Sequence, residues 1–145
     1  MSSQPCPSGT YNGATGQFTL GQCITTPAGQ YSLSTATAPT GYCAAGYYCP
    51  AGSSSATAFP CPVGTYNTNT GGGSQAACAT CVAGGYCPQA SVTPTVCPRG
   101  SYCTTGVTTP SPCPIGTYGN TTGLVASTYC IRFVFYSTIL TCIVS

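Results

Sequence analysis

The chain has 145 residues and two charged side chains, Arg99 and Arg132, with no Asp, Glu, Lys, His or Trp. Catalysis by proton transfer or by an activated nucleophile needs carboxyl, imidazole or amine groups, and calcium or catalytic zinc needs carboxylate or imidazole ligands. Two arginines cannot form the basic surface that binds nucleic acid. The sequence therefore predicts a protein that is not an enzyme, with no catalytic residue, metal, resident cofactor or nucleic-acid partner.

Thirteen cysteines, beside 19 glycines and 13 prolines, indicate how such a chain folds. Large aliphatic side chains are sparse before residue 131, so a conventional apolar core cannot offset the conformational entropy of the chain. Disulfides take the place of that core in small domains from oxidising compartments. The composition predicts an extracellular protein, either secreted or at the cell surface.

A six-residue motif, Cys-x-x-Gly-x-Tyr, repeats along the chain. The next cysteine follows 17 residues after the first in long copies and six residues after it in short copies, in the order long, short, short. We predict a first repeat over 5–60, a second over 61–112, a partial third over 113–130 and an apolar C-terminal strand over 131–145. The seven copies begin at Cys6, Thr26, Cys43, Cys61, Cys81, Cys97 and Cys113, with threonine in the cysteine place of the second copy.

The motif predicts turns rather than helices. Its glycine suits a tight turn with positive φ, and residues 1–130 show no apolar period of 3.6. The expected fold is small and disulfide-rich with little regular secondary structure, its short β-hairpins and turns stacked as an elongated repeat rod. Residues 131–145 are rich in β-branched and aromatic side chains, which favours a strand, either docked or donated to a neighbouring subunit. This segment is short for a membrane span, and we predict none.

The degenerate second copy suggests which cysteines pair. Cys81 and Cys87 align without a gap with Thr26 and Ser32, and loss of both cysteines together is expected if the two positions bond to each other. Cys142 is left over, either unpaired or free to bridge to another chain. Bridges between neighbouring motifs, Cys49–Cys61, Cys87–Cys97 and Cys103–Cys113, remain an alternative. The favoured pairs are Cys6–Cys23, Cys43–Cys49, Cys61–Cys78, Cys81–Cys87, Cys97–Cys103 and Cys113–Cys130.

One cysteine spacing also occurs in zinc sites. Cys78 and Cys81 form a Cys-x-x-Cys pair, but the chain has no second such pair and no histidine to complete four ligands. Disulfides are therefore the favoured interpretation. Arg99 and Arg132 could anchor a ligand, although single surface arginines are common in any protein.

The motif sequences CPVGTYN, CPRGSYC and CVAGGYCP, which begin at Cys61, Cys97 and Cys81, resemble the cysteine-rich repeats of Eph-receptor-like extracellular regions. They are more loosely similar to the modules of tumour-necrosis-factor receptors, and their richness in Gly, Ser and Thr is similar to that of surface and fibril proteins of protists and algae. The resemblance covers about residues 5–130. It implies a small disulfide-stapled extracellular module.

A surface without charge needs another source of hydration, and covalent glycans would supply it. Asn120, in the sequence Asn-Thr-Thr, is the predicted N-glycosylation site. Clusters of Ser, Thr and Pro predict O-glycans, with hydroxylated proline as a further acceptor. The O-glycan candidates are Thr25, Thr26, Ser53, Ser54, Ser55, Thr93, Thr95, Thr108, Thr109 and Ser111, and the hydroxyproline candidates are Pro94, Pro110 and Pro112.

These features favour a structural function. The leading hypothesis is a subunit of an extracellular glycosylated fibril, appendage or coat, which polymerises head to tail and has copies of itself and glycans as partners. The alternative is a ligand-binding or adhesive ectodomain module of a larger cell-surface protein.

Overall fold

A computed structural model describes residues 5–14 and 19–133 of the chain. Within these ranges, 14 two-residue strands pair in sequence order into seven antiparallel hairpins. The predicted C-terminal strand is described only at Ile131–Arg132 (β14), and Cys142 lies outside the described residues. The other strands are β1 Thr10–Tyr11, β2 Ile24–Thr25, β3 Gln30–Tyr31, β4 Gly41–Tyr42, β5 Tyr47–Tyr48, β6 Phe59–Pro60, β7 Thr65–Tyr66, β8 Ala79–Thr80, β9 Gly85–Tyr86, β10 Thr95–Val96, β11 Ser101–Tyr102, β12 Ser111–Pro112 and β13 Thr117–Tyr118.

Each hairpin belongs to one repeat unit, which starts at the first position of the motif. Unit 4, for example, pairs Thr65 with Thr80 and Tyr66 with Ala79. Its second strand, β8, ends immediately before the first cysteine of the next unit. We number the units 1 to 7 by their first residues, Cys6, Thr26, Cys43, Cys61, Cys81, Cys97 and Cys113.

The motif glycine forms the turn that leads into the first strand of each hairpin. Its φ lies between +78° and +86° in all seven units, a region that glycine enters without steric cost. In unit 4 the amide of Thr65 donates to the carbonyl of Pro62 at 3.1 Å, which closes a four-residue turn with Gly64 at its third position. Positive φ at that position is what a type II turn requires.

The long units, 1, 4 and 7, each add one 3-10 helix just before their second cysteine. These helices are η1 Leu20–Gln22, η2 Gln75–Ala77 and η3 Ser127–Tyr129, and they are the helical segments of the described residues. In η1 the side-chain Oε1 of Gln22 accepts a hydrogen bond from the amide of Thr19 at 2.9 Å. This bond satisfies an amide at the helix start that has no partner within the helix.

Successive units are joined by a repeating set of four backbone hydrogen bonds. Between units 4 and 5, Gly64 donates to Cys87 and accepts from Cys81, both at 2.8 Å. Ala90 donates to Cys61 and Asn67 donates to Ser91, both at 3.0 Å. The corresponding four bonds are present at all six junctions, with lengths between 2.7 and 3.1 Å. Because every junction uses the same backbone groups, the units stack in one repeating geometry.

The buried side chains of the stack are mostly cysteines. Among hydrophobic residues, only cysteines fall in the buried class within the described ranges, and eight of them lie at 0 or 2% exposure. The predicted fold class is confirmed, since the described chain is a small array of hairpins with almost no helix, held by six disulfides. Disulfides here take the place of the apolar core that the composition lacks.

Candidate functional site

The structure brings together the six cysteine pairs that the comparison of repeat copies favoured, and not the alternative bridges between motifs. Their Cα atoms lie 5.7 to 5.9 Å apart, within the usual range for disulfides. Cys78 and Cys81, the pair with zinc-like spacing, belong to two different disulfides. The pairs are Cys6–Cys23, Cys43–Cys49, Cys61–Cys78, Cys81–Cys87, Cys97–Cys103 and Cys113–Cys130.

Unit 2 has a hydroxyl pair where the short units have a disulfide. Thr26 and Ser32 are both fully buried, and their hydroxyl groups are hydrogen-bonded to each other at 2.7 Å. Thr26 Oγ1 also lies 2.9 Å from the carbonyl oxygen of Gly9, in the unit before. Buried hydroxyl groups are costly without partners, and these have them. The paired loss of cysteines thus leaves a satisfied polar contact.

The double substitution Thr26→Cys and Ser32→Cys is expected to form a seventh disulfide. The equivalent positions in the other short units hold cysteines with Cα atoms 5.7 to 5.9 Å apart. Closing a loop of this length is expected to raise the free energy of unfolding by about 2 kcal/mol. Denaturant unfolding of the oxidised variant measures the gain, with the oxidised parent protein as its control. A variant no more stable than the parent would contradict the prediction.

The motif glycines of units 1 to 5 also lie close to backbone of the unit two places further along. A Cβ built on Gly84 would lie 2.7 Å from the carbonyl oxygen of Gly123, and one on Gly29 would lie 2.5 Å from that of Gly71. Real Cβ atoms do not come so close to backbone. Gly100 and Gly116, in the last two units, have no described atom within 4 Å of such a Cβ. In units 1 to 5 the glycine is therefore required for two reasons, its positive φ and the absence of a side chain that would meet the later unit.

A second positive-φ position, which sequence reasoning did not single out as a turn, lies six or seven residues after the motif glycine. It is glycine in four units, and Thr35 (φ 67°) and Ala90 (φ 61°) in two others. Its amide supplies one of the four junction bonds, as Gly106 does to Cys81 at 2.8 Å. The recurrence of glycine at this spacing is the signal that could have revealed it. The four glycines are Gly52, Gly71, Gly106 and Gly123.

Two buried asparagines are further structural residues that the sequence analysis missed. Asn12 and Asn67 are 6% and 4% exposed and occupy the place of the second cysteine of a short unit. The Oδ1 atom of each accepts from the amide two residues on, Ala14 at 2.9 Å and Asn69 at 3.1 Å. Their recurrence after the motif tyrosine in long copies, as in CPVGTYN, was the available signal. They turn the chain into the long loop.

The structure removes two residues from the predicted O-glycan acceptors. Thr26 is fully buried, and Ser53 is 6% exposed with its hydroxyl donating to the carbonyl of Pro50 at 2.7 Å. A sugar on either side chain has no room in the folded stack, so these two predictions are wrong. Exposed acceptors are Thr25, Ser54, Ser55, Thr93, Thr95, Thr109 and Pro112, and half-buried ones are Thr108, Ser111, Pro94, Pro110 and Asn120.

The described surface is almost free of charge. Arg99 and Arg132 are exposed, and the sequence holds no acid to pair with them. A shallow depression of about 550 Å³ between units 2 and 4 is lined by uncharged residues, among them Gln30, Tyr42 and Thr70. In residues 5–14 and 19–133, no group of three potential metal ligands occurs. No helix in these ranges has the length and apolar character needed to cross a membrane.

Comparison with known proteins supports a cysteine-rich repeat. No family model matches the chain. In an alignment of 84 residues that covers 54% of the chain, the chain is 40% identical to "Cysteine repeat modular protein A" of Toxoplasma gondii. It spans 2% of that relative. The chain is thus similar to part of a much longer repeat protein, whereas the likeness to Eph-receptor and tumour-necrosis-factor-receptor repeats remains a resemblance of motifs. The disulfides and this relative together suggest an extracellular or secreted protein.

Proposed function

We propose that this chain is a structural repeat module of an extracellular surface protein, fibril or coat, in which it acts as a stiff spacer. The observation that carries the proposal is the junction of four hydrogen bonds that recurs between all seven units. In such an array each unit contacts its neighbours, so length is added unit by unit without a change in design. Six disulfides hold six of the seven hairpins that make up the spacer.

The modular relative supports this function, because a segment similar to this chain forms a small part of a far longer protein. The uncharged surface supports glycosylation at the exposed Ser and Thr residues, since hydration must come from groups other than charged side chains. With two charged residues, the surface has little with which to bind a charged ligand. A spacer function needs no such ligand.

The second part of the proposal is that copies of the chain assemble head to tail. Its support comes from unit 7, where Ile115 is fully exposed and Gly116 has no described atom within 4 Å of a built Cβ. In units 1 to 5 the equivalent glycine is covered by backbone of the unit two places further along. A surface that repeats an internal junction is suited to contact another unit of the same kind, and a heterologous contact of this type gives a filament.

The spacer function predicts that length follows the number of units. Inserting a second copy of residues 61–112 adds three units to seven, and we expect the longest dimension in electron micrographs to grow by roughly 40%. A matched control inserts a flexible Gly-Ser segment of equal length at the same site, which should give no such regular increase. Unchanged particle length with the extra repeat would contradict the spacer. Dispersed rods without filaments would remove only the head-to-tail assembly.

A further inference from the structure

The hydroxyl pair of unit 2 lies in the longest stretch of described chain outside a disulfide loop. Residues 24–42, nineteen in number, fall between the bridges Cys6–Cys23 and Cys43–Cys49. The next longest such stretch, residues 50–60, has eleven. All of unit 2 lies within the first stretch. Each of the other six units has one disulfide within it, whereas unit 2 has none in the described structure.

These contacts are complete in the closed state. Unit 2 keeps all four backbone hydrogen bonds to unit 1 and all four to unit 3. Its hairpin pairs Gln30 with Tyr42 and Tyr31 with Gly41. Thr26 and Ser32 are fully buried and bonded to each other. In the closed state, unit 2 thus has the same backbone contacts as the other units. It differs in having no disulfide to limit how far it opens.

Unit 5 is the appropriate comparison, because it too is a short unit that follows a long one. Both units make the same four bonds to the preceding unit, as with Thr26 to Gly9 at 3.0 Å and Cys81 to Gly64 at 2.8 Å. In unit 5 the Cys81–Cys87 bridge restricts the conformations that an opened unit can reach. No bridge restricts unit 2. Opening unit 2 therefore gains more chain entropy than opening unit 5.

We propose that unit 2 is a tension-sensitive extensible element, which opens while the bridged units of the stack stay closed. Once open, the chain between Cys23 and Cys43 can extend to about 70 Å without breaking a covalent bond. The opening is a property of the fold, and only its use under tension rests on the proposed spacer function. The bridged units on either side limit the extension and preserve the surfaces onto which unit 2 closes again.

Amide hydrogen exchange under native conditions tests the opening without any assumption about function. The junction amides of unit 2, those of Thr26, Gly29, Ser32 and Thr35, are compared with the equivalent amides of unit 5 in the same oxidised protein. We expect the unit 2 amides to exchange at least about tenfold faster, because local opening sets the rate. Equal or slower exchange in unit 2 would overturn the proposal.

Two variants separate the missing bridge from other differences between the units, each made with Cys142→Ser so that a thirteenth cysteine takes no part in disulfide exchange. In the first, Thr26→Cys with Ser32→Cys should return exchange in unit 2 to the unit 5 rate. In the second, Cys81→Thr with Cys87→Ser should make unit 5 exchange as fast as unit 2. Failure of both changes in rate would show that the hydroxyl pair does not control opening.

Stretching single molecules between the chain ends tests the extension itself. The first opening event of the oxidised protein should lengthen the chain by a fixed step between Cys23 and Cys43. The seventh disulfide of the Thr26→Cys, Ser32→Cys variant should shorten that step by about 15 Å, since six residues leave the extensible path. A first step unaffected by this bridge would place the opening elsewhere and overturn the proposal. Failure of the spacer test would leave these results intact.

Discussion

Gly84→Ala should destabilise the protein much more than Gly116→Ala. Both glycines have the same place in the motif and nearly the same φ, +84° and +81°. Alanine in this left-handed region costs about 1–2 kcal/mol at either site. At Gly84 the new Cβ would also lie 2.7 Å from the carbonyl oxygen of Gly123, whereas at Gly116 it would meet no described atom within 4 Å.

The difference between these two variants isolates the contact between units two places apart. Relief of the contact at Gly84 requires a shift of backbone, which typically adds about 1–3 kcal/mol in a packed interior. Calorimetric or denaturant unfolding of the oxidised proteins gives the two losses of stability. Equal losses would mean that φ alone explains the motif glycine, and that contacts beyond the adjacent unit contribute nothing.

Much of the disulfide pattern could be predicted from the sequence. The cysteine spacings recur from copy to copy, and the two cysteines absent from unit 2 indicate which positions pair. Cys81 and Cys87 together replace Thr26 and Ser32 in a gapless alignment, and this replacement is enough to favour a bridge within the short loop. The hairpins follow from turn chemistry, since a glycine before a short β-prone segment sets both the turn and the strand.

The stacking of units could not be predicted in the same way. Each junction is made of backbone amides and carbonyls, which every residue except proline carries, so no side-chain pattern marks the partners. Gly29 shows the consequence, because its amide donates to Cys49 in the next unit while its Cα faces the carbonyl of Gly71 two units away. The motif predicts that a glycine is needed at this position. It does not identify the backbone segment, two units away, that leaves no room for a side chain.

Burial of hydroxyl groups was the other point at which the sequence misled. Thr26 and Ser53 stand in clusters of Ser, Thr and Pro that are typical of glycan acceptors. One occupies a cysteine position inside the stack, and the other bonds to Pro50 in a turn. Their polarity is satisfied internally, so composition alone could not separate them from the exposed Ser54 and Ser55.

Replacing the Cys81–Cys87 bridge by two alanines should destabilise the protein by about 3–4 kcal/mol. The chain-entropy contribution of a bridge across six residues is about 2 kcal/mol. Both sulfur atoms belong to fully buried residues, so alanines also leave unfilled space, which costs about 1 kcal/mol or more. Cys81→Thr with Cys87→Ser copies the side chains of unit 2 and should recover about 1 kcal/mol through the buried hydroxyl bond.

Comparing the two double variants measures what the hydroxyl pair contributes once the bridge is gone. Equilibrium unfolding in denaturant gives both free energies, and mass analysis under non-reducing conditions verifies that the other five bridges are formed. If the threonine–serine variant is no more stable than the alanine variant, the pair at Thr26 and Ser32 is tolerated rather than stabilising. If the threonine–serine variant is more stable than the alanine variant, a hydrogen bond between buried hydroxyl groups is sufficient to keep a repeat unit closed in the absence of tension. Unit 2 then differs from its neighbours in how far it can open, while its closed structure stays the same.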